Sequence, residues 1–296
     1  MFNKKLKLNI SKPDTDTVLF ILSTGLFIFL SDFIEQNASN NTLSIILITF
    51  IVFFGLPHGA LDTLIAKKFN LYKNFFQFLI FNFFYISLAL IVFIVWQIIP
   101  VFSLFIFLAI SGYHFSEDWD SYNITKIKKL ALGFSIINLP LLFNKNLVEE
   151  IYFYITKSDY IYYFSSFQIA ISCLNFLFLL YFLLSNTISI NIFLQIIMLI
   201  LSAYILEPIL FFICYFCFFH SIKNFKESKT LLLEINKIKI TLAALINTFL
   251  SVILGIIIFF FIYSDFNLQN ITSLIFIGLA ALTVPHMLLR ILIRRK

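Results

Sequence analysis

Charge is what this chain has least of. Asp, Glu, Lys and Arg make up 12% of its 296 residues, about half the roughly 25% with which a soluble domain covers its surface. That excludes an ordinary soluble fold. Cysteine is scarce too: three residues, an odd number, all inside apolar runs, which excludes a disulfide framework. No internal repeat, low-complexity tail or domain-separating linker is present, so the chain reads as a single integral-membrane domain, residues 1–296. The basic start, Met1-Phe-Asn-Lys-Lys-Leu-Lys, leads into an apolar run with no small-residue cleavage pattern after it. That run is expected to be retained as the first helix.

What is there is apolar. Hydrophobic residues make up 61% of the chain and the mean hydropathy is +0.98. Apolar runs read as 16–34, 43–66, 75–99, 101–116, 130–143, 160–184, 190–206, 208–222, 240–263 and 271–290. Most are long enough, at 1.5 Å per helical residue, to cross a hydrocarbon core about 30 Å thick. The expected fold is all-α: a polytopic membrane helical bundle of about ten helices (eight to ten), some short or re-entrant. Proline at Glu207-Pro208 breaks the helical ladder and splits one long run in two. Segment 147–155 is too short to span and is expected at an interface.

The net charge of +6 falls in short clusters between runs, which reads as topology rather than nucleic-acid binding. Lys4, Lys5, Lys7 and Lys12 precede the first run, and Lys67, Lys68 and Lys73 follow the second. Lys126, Lys128 and Lys129 follow the fourth, and Lys223, Lys226, Lys229, Lys237 and Lys239 follow the eighth. Arg290, Arg294, Arg295 and Lys296 close the last. With ten helices every cluster falls on one side, Lys145 and Lys157 being the exceptions. Both termini are then expected in the cytoplasm, with the protein multi-pass in the cell (inner) membrane.

The chain has four histidines, His58, His114, His220 and His286. They fall on the second, fourth, eighth and tenth runs, which all cross in the same direction. Each lies about 13 to 16 residues from its run's start, roughly 20–24 Å deep. One histidine in a membrane helix is commonly satisfied by a neighbouring backbone group. Four at one depth, with none in a loop, point to a shared metal site, and neutral imidazoles suit Fe, Zn or Cu better than Ca or Mg. Carboxylates should then support the ligands: Asp62 follows His58 by four residues, and Glu117 and Asp118 follow His114 by three and four. The plainer reading is that Glu117 and Asp118 end their helix in water.

In Gly55-Leu-Pro-His-Gly-Ala-Leu-Asp62, Pro57 is expected to kink the helix and aim His58 inward, with Gly55 and Gly59 allowing close approach. Val284-Pro285-His286 repeats the Pro-His step. Cys214 and Cys217 precede His220 at spacings of three, but read more simply as small buried apolar residues. The 41 phenylalanines go with abundant Lys, Asn and Ile, as an AT-rich genome gives, and are weak evidence for an aromatic tunnel.

Taken in order, Gly55-Leu-Pro-His-Gly-Ala-Leu-Asp62, Tyr113-His-Phe-Ser-Glu-Asp118, Tyr215-Phe-Cys-Phe-Phe-His-Ser221 and Pro285-His286 resemble the Brp/Blh family of membrane β-carotene 15,15′-dioxygenases. The resemblance runs from about residue 40 to the end. It implies an iron(II) enzyme that splits the central double bond of β-carotene with O₂, giving two retinals for a microbial rhodopsin. His58, His114 and His220 carry over as catalytic metal ligands. The family's third motif is His-Ser-x-x-His, whereas this chain has His220-Ser-Ile-Lys-Asn224. Asn224 is a poor iron ligand, so His286 or a water completes the site, or activity is altered or lost. Tyr113, Phe115, Tyr215 and Phe219, beside the ligands, are candidates to line the polyene, although plain core packing would also explain each of them.

Other functions remain open. A non-catalytic relative binding carotenoid or retinal, a heme protein and a metal transporter are each compatible with four histidines. A di-iron desaturase is disfavoured, since such families resemble one another in carrying eight. A microbial rhodopsin is excluded, because no lysine lies inside the last two runs before their ends.

Overall fold

The computed structural model describes residues 12–37, 40–184 and 188–294. Lys4, Lys5, Lys7, Arg295 and Lys296 lie outside the described residues. Within them the chain is helical, without a β-strand. The helices are α1 (Thr15–Asn37), α2 (Asn40–Phe50), α3 (Asp62–Lys68), α4 (Phe75–Ile98), α5 (Pro100–Ser116), α6 (Lys126–Phe143) and α7 (Lys145–Thr156). There follow α8 (Ile161–Leu183), α9 (Ile190–Ile205), α10 (Pro208–Tyr215), α11 (Ser221–Leu231), α12 (Lys237–Ile262) and α13 (Leu268–Arg294).

The apolar runs of the sequence are helical, the second being interrupted by irregular turns between Phe50 and Asp62. Among the described residues, seven stretches are long and apolar enough to cross a membrane, or eight if α6 and α7, bent by 112° at their junction, make one crossing. Helix α9, at 16 residues, is a short apolar helix of about 24 Å. Segment 147–155 sits within α7, whose Val148, Tyr152 and Ile155 are buried. The most apolar windows of α4 and α12 bury 0% and 6% of their residues, and Phe261 is 90% exposed. Helices so apolar and so uncovered by protein are stable only with hydrocarbon around them. The protein is therefore a multi-pass membrane protein.

Helix ends follow local chemistry. Asn74 caps α4 by accepting from the Gln77 N–H at 2.9 Å, and Asn236 caps α12 by accepting from the Ile238 N–H at 2.9 Å. Both satisfy an amide that a helix start leaves without a partner. At Glu207-Pro208 the run divides as the sequence implies: α9 stops at Ile205 and Pro208 takes the first position of α10, where a missing N–H costs nothing.

The chain groups into two compact units. The first takes its described residues from 1–38, 108–153 and 158–220, the second from 39–107, 154–157 and 221–296. In the first, α6 packs on α8 and α9, and α1 on α9 and α10. Gly133 of α6 lies directly against the α5 backbone. A Cβ there would lie 2.2 Å from the Gly112 carbonyl oxygen and 2.4 Å from the Ser116 nitrogen, so only glycine fits. In the second unit α13 packs on α2, α3 and α4, and α11 and α12 on the turn Leu56–His58. Ala60, Leu61, Ile65, Leu232, Ile240 and Ala244 form an apolar cluster there.

Candidate metal centre

The first unit brings together His114 and His220. His114 sits near the end of α5, followed by a 3₁₀ turn, Glu117–Trp119. Because α5 stays helical through Ser116, Glu117 lies one turn from His114 on the same face. Its Oε2 accepts from His114 Nδ1 at 3.1 Å. Asp118, swung out by the 3₁₀ turn, instead accepts from His220 Nδ1 at 2.9 Å and from the Tyr215 hydroxyl at 2.6 Å. His220 ends a π-helical turn, Phe216–His220, that continues α10. Such wide turns redirect a side chain without ending the helix and recur at functional sites. The His114 and His220 rings meet edge to face, centroids 4.7 Å apart.

Both histidines, Glu117 and Asp118 are buried. The carboxylates do not end their helix in water. Phe115 packs edge-on against His220 at 5.0 Å, and Trp119 stacks on Tyr215. Trp119 is tied to α9 through an Nε1–H donated to Gln195 Oε1 at 2.8 Å.

The second unit brings together His58 and His286, with ring centroids 5.5 Å apart and planes at 84°. Helix α2 gives way to a π-helical turn, Ile51–Gly55, then to a 3₁₀ turn, Leu56–His58, around Pro57. The break leaves backbone carbonyls needing donors, a demand that hydrocarbon cannot meet. Side chains meet it. His58 donates from Nδ1 to the Gly55 carbonyl at 2.5 Å, Ser221 Oγ lies 3.3 Å from the same nitrogen, and Asn247 of α12 donates to the Ala60 carbonyl at 2.7 Å.

Asp62 does not pair with His58. The irregular turns between them destroy the four-residue register, and Asp62 accepts from His286 Nδ1 of α13, at 2.8 Å to Oδ2 and 3.0 Å to Oδ1. The Tyr85 hydroxyl of α4 donates to the same Oδ2 at 2.7 Å. Gly55 contributes its carbonyl. At Gly59 a Cβ would meet only His286 Nδ1 at 3.9 Å, an ordinary contact, so close approach is not what that glycine supplies.

Asn224 is buried in α11 and accepts a hydrogen bond from the Arg290 guanidinium, which also lies 3.6 Å from Glu227. Of the aromatic candidates, Phe115, Tyr215 and Phe219 are buried, whereas Tyr113 is 39% exposed. Cys214 and Cys217 are buried thiols, and burial alone accounts for them. Sequence reading missed Tyr85, a hydroxyl inside an otherwise lipid-like run; its one signal was that polarity.

The chemistry of these donors fits a transition metal. A ring that donates from Nδ1 is held in the tautomer whose lone pair sits on Nε2. The Nε2 atoms of His114, His220 and His286 are buried and, among the described residues, accept no hydrogen bond, each ring being held from its Nδ1 side. Fold and donors together define a class: multi-pass helical membrane proteins carrying carboxylate-supported histidines of the metal-ligating kind.

Within that class the chain can be placed. The family model for beta-carotene 15,15'-dioxygenase matches residues 49–293. A beta-carotene 15,15'-dioxygenase of an uncultured marine bacterium, 66A03, is 32% identical over 256 residues, covering 82% of this chain and 90% of that protein. No solved structure matches the chain significantly. The chain belongs to the β-carotene 15,15′-dioxygenase family of enzymes.

Proposed function

We propose that the protein splits β-carotene across its central double bond with O₂, using one iron(II) ion held by His58, His114, His220 and His286. The observation that carries this reading is common to all four rings: each is fixed through Nδ1 by Glu117, Asp118, Asp62 or the Gly55 carbonyl, leaving Nε2 as the ligand atom. Three neutral imidazoles with buried carboxylates alongside, Glu117, Asp118 and Asp62, also offset a divalent charge at low dielectric. Asn224 is engaged with Arg290, which favours His286 as the fourth ligand over Asn224.

Bound iron(II) would supply the redox activation of O₂ that the bare side chains lack. The overall change balances without a protein acid or base. One C=C bond and the O–O bond break, and two C=O bonds form, giving two retinals. The chain's own residues orient the rings, exclude water and present apolar surface to a substrate that is itself dissolved in hydrocarbon. Lateral entry from the bilayer, past the exposed Tyr113, suits such a polyene; Phe115, Tyr215 and Phe219 then back the histidines. Both termini lie in the cytoplasm of the cell membrane in this reading, and retinal passes to a microbial rhodopsin.

Expression in β-carotene-producing cells tests the activity. Loss of orange colour with retinal in the extract is the expected result; retained colour with abundant protein contradicts it. The departure at Asn224 favours a second reading, a carotenoid- or retinal-binding relative without turnover, which retained colour and pigment co-purifying with the protein would support.

A further inference from the structure

Each unit contains the same three-part arrangement, and the proposed chemistry uses only two of its parts. Asp118 Oδ2 accepts from His220 Nδ1 at 2.9 Å and from the Tyr215 hydroxyl at 2.6 Å. Asp62 Oδ2 accepts from His286 Nδ1 at 2.8 Å and from the Tyr85 hydroxyl at 2.7 Å. The tyrosines come from different places in the fold. Tyr215 ends α10, one turn before His220, whereas Tyr85 lies on α4, packed against the α13 that carries His286.

We infer that Tyr85 and Tyr215 are positioning residues for the metal, acting through Asp62 and Asp118 on His286 and His220. The inference rests on the histidines being ligands, as proposed above. A buried carboxylate with one donor can turn about its Cβ–Cγ bond and present either oxygen. A second, charge-assisted donor from a separate direction fixes the plane of the group. The histidine that shares that carboxylate then has one orientation for its ring and Nε2. The hydroxyl also takes up part of the carboxylate's charge, which limits how strongly it pulls on the Nδ1 proton and how basic the ligand becomes.

Tyr215 thus has a task other than walling a substrate channel. It is fully buried, and its one polar atom is spent on Asp118.

The test uses the full-length detergent-solubilised protein, with Co(II) as a spectroscopic probe. Wild type is expected to bind Co(II) with visible d–d bands. Tyr85→Phe and Tyr215→Phe, each removing one oxygen, are expected to weaken the Co(II) Kd by about 10-fold or more, in the range for lost outer-sphere partners, and to shift the bands at saturating metal. Tyr85→Phe added to Asp62→Asn should weaken binding no further than Asp62→Asn alone. Tyr152→Phe, removing a buried hydroxyl bonded to Gln168, should leave Kd and spectrum unchanged.

Failure of wild type to bind Co(II) would overturn the metal reading itself. Binding by wild type with unchanged Kd and bands in both tyrosine variants would overturn this inference alone. Additive losses in the double variant would show a packing role and overturn it too. If one tyrosine variant does not fold without metal, the other carries the test; failure of both to fold counts against the proposal.

Discussion

Gly133→Ala is a one-carbon change with a consequence that can be worked from the structure. The added Cβ would sit 2.2 Å from the Gly112 carbonyl oxygen, 2.4 Å from the Ser116 nitrogen and 2.8 Å from the Ser116 Cα. Ordinary contact begins near 3.5 Å, so the group is about 1 Å too close to three atoms at once. All three belong to the α5 backbone, which cannot rotate away as a side chain would. The helices must separate or tilt, and the cost falls at the upper end of overpacking, about 3 kcal/mol, or roughly 100-fold in the folding equilibrium. Two residues on from Gly112 is His114, so the same displacement moves a proposed ligand. Thermal unfolding in detergent should show a fall of several degrees in Tm, with retinal formation in cells reduced in parallel. The matched control is Gly255→Ala, whose Cβ would meet nothing within 4 Å; within a helix it should be neutral or gain about 0.5–1 kcal/mol. Equal Tm values for Gly133→Ala and wild type would refute the close packing of α5 on α6.

Three further outcomes are expected. His58→Ala should abolish retinal formation while leaving Tm within a few degrees of wild type, measured by chromatography of cell extracts and by melting. Asn224→His should not raise retinal yield, because Arg290 already occupies the Asn224 side chain and would face an imidazole instead; a several-fold rise would show that position 224 can ligate. Asn247→Ala removes the donor to the Ala60 carbonyl and should cost about 1–3 kcal/mol for an unmet buried acceptor, read as a lower Tm with a weakened site around His58.

The helices were legible because hydrocarbon demands long uninterrupted apolar runs, and the break at Glu207-Pro208 was legible because proline cannot continue a ladder. The four histidines stood out against an apolar background. Their carboxylate partners were harder. Asp62 reads as the partner of His58 only if the helix between them is regular, and the turns around Pro57 cancel that register, handing Asp62 to His286, 224 positions away. Asp118 is turned from His114 to His220 by one 3₁₀ turn in the same way. Glu117 kept its local partner because α5 remains helical to Ser116. Tyr85 was missed for a different reason: its hydroxyl is polar, but along α4 nothing in the spacing of residues distinguishes a tyrosine facing protein from one facing lipid. Nor does the sequence mark Gly133, whose need for glycine arises from a helix packed across it.

Metal content is the sharpest check on the proposal that four imidazoles hold one iron. Protein produced in iron-supplemented cells should carry one non-heme iron per chain, and His58→Ala, His114→Ala, His220→Ala and His286→Ala should each lose most of it while remaining folded. Full retention of iron by any folded one of those variants, or a heme absorption band in the wild type, would contradict it.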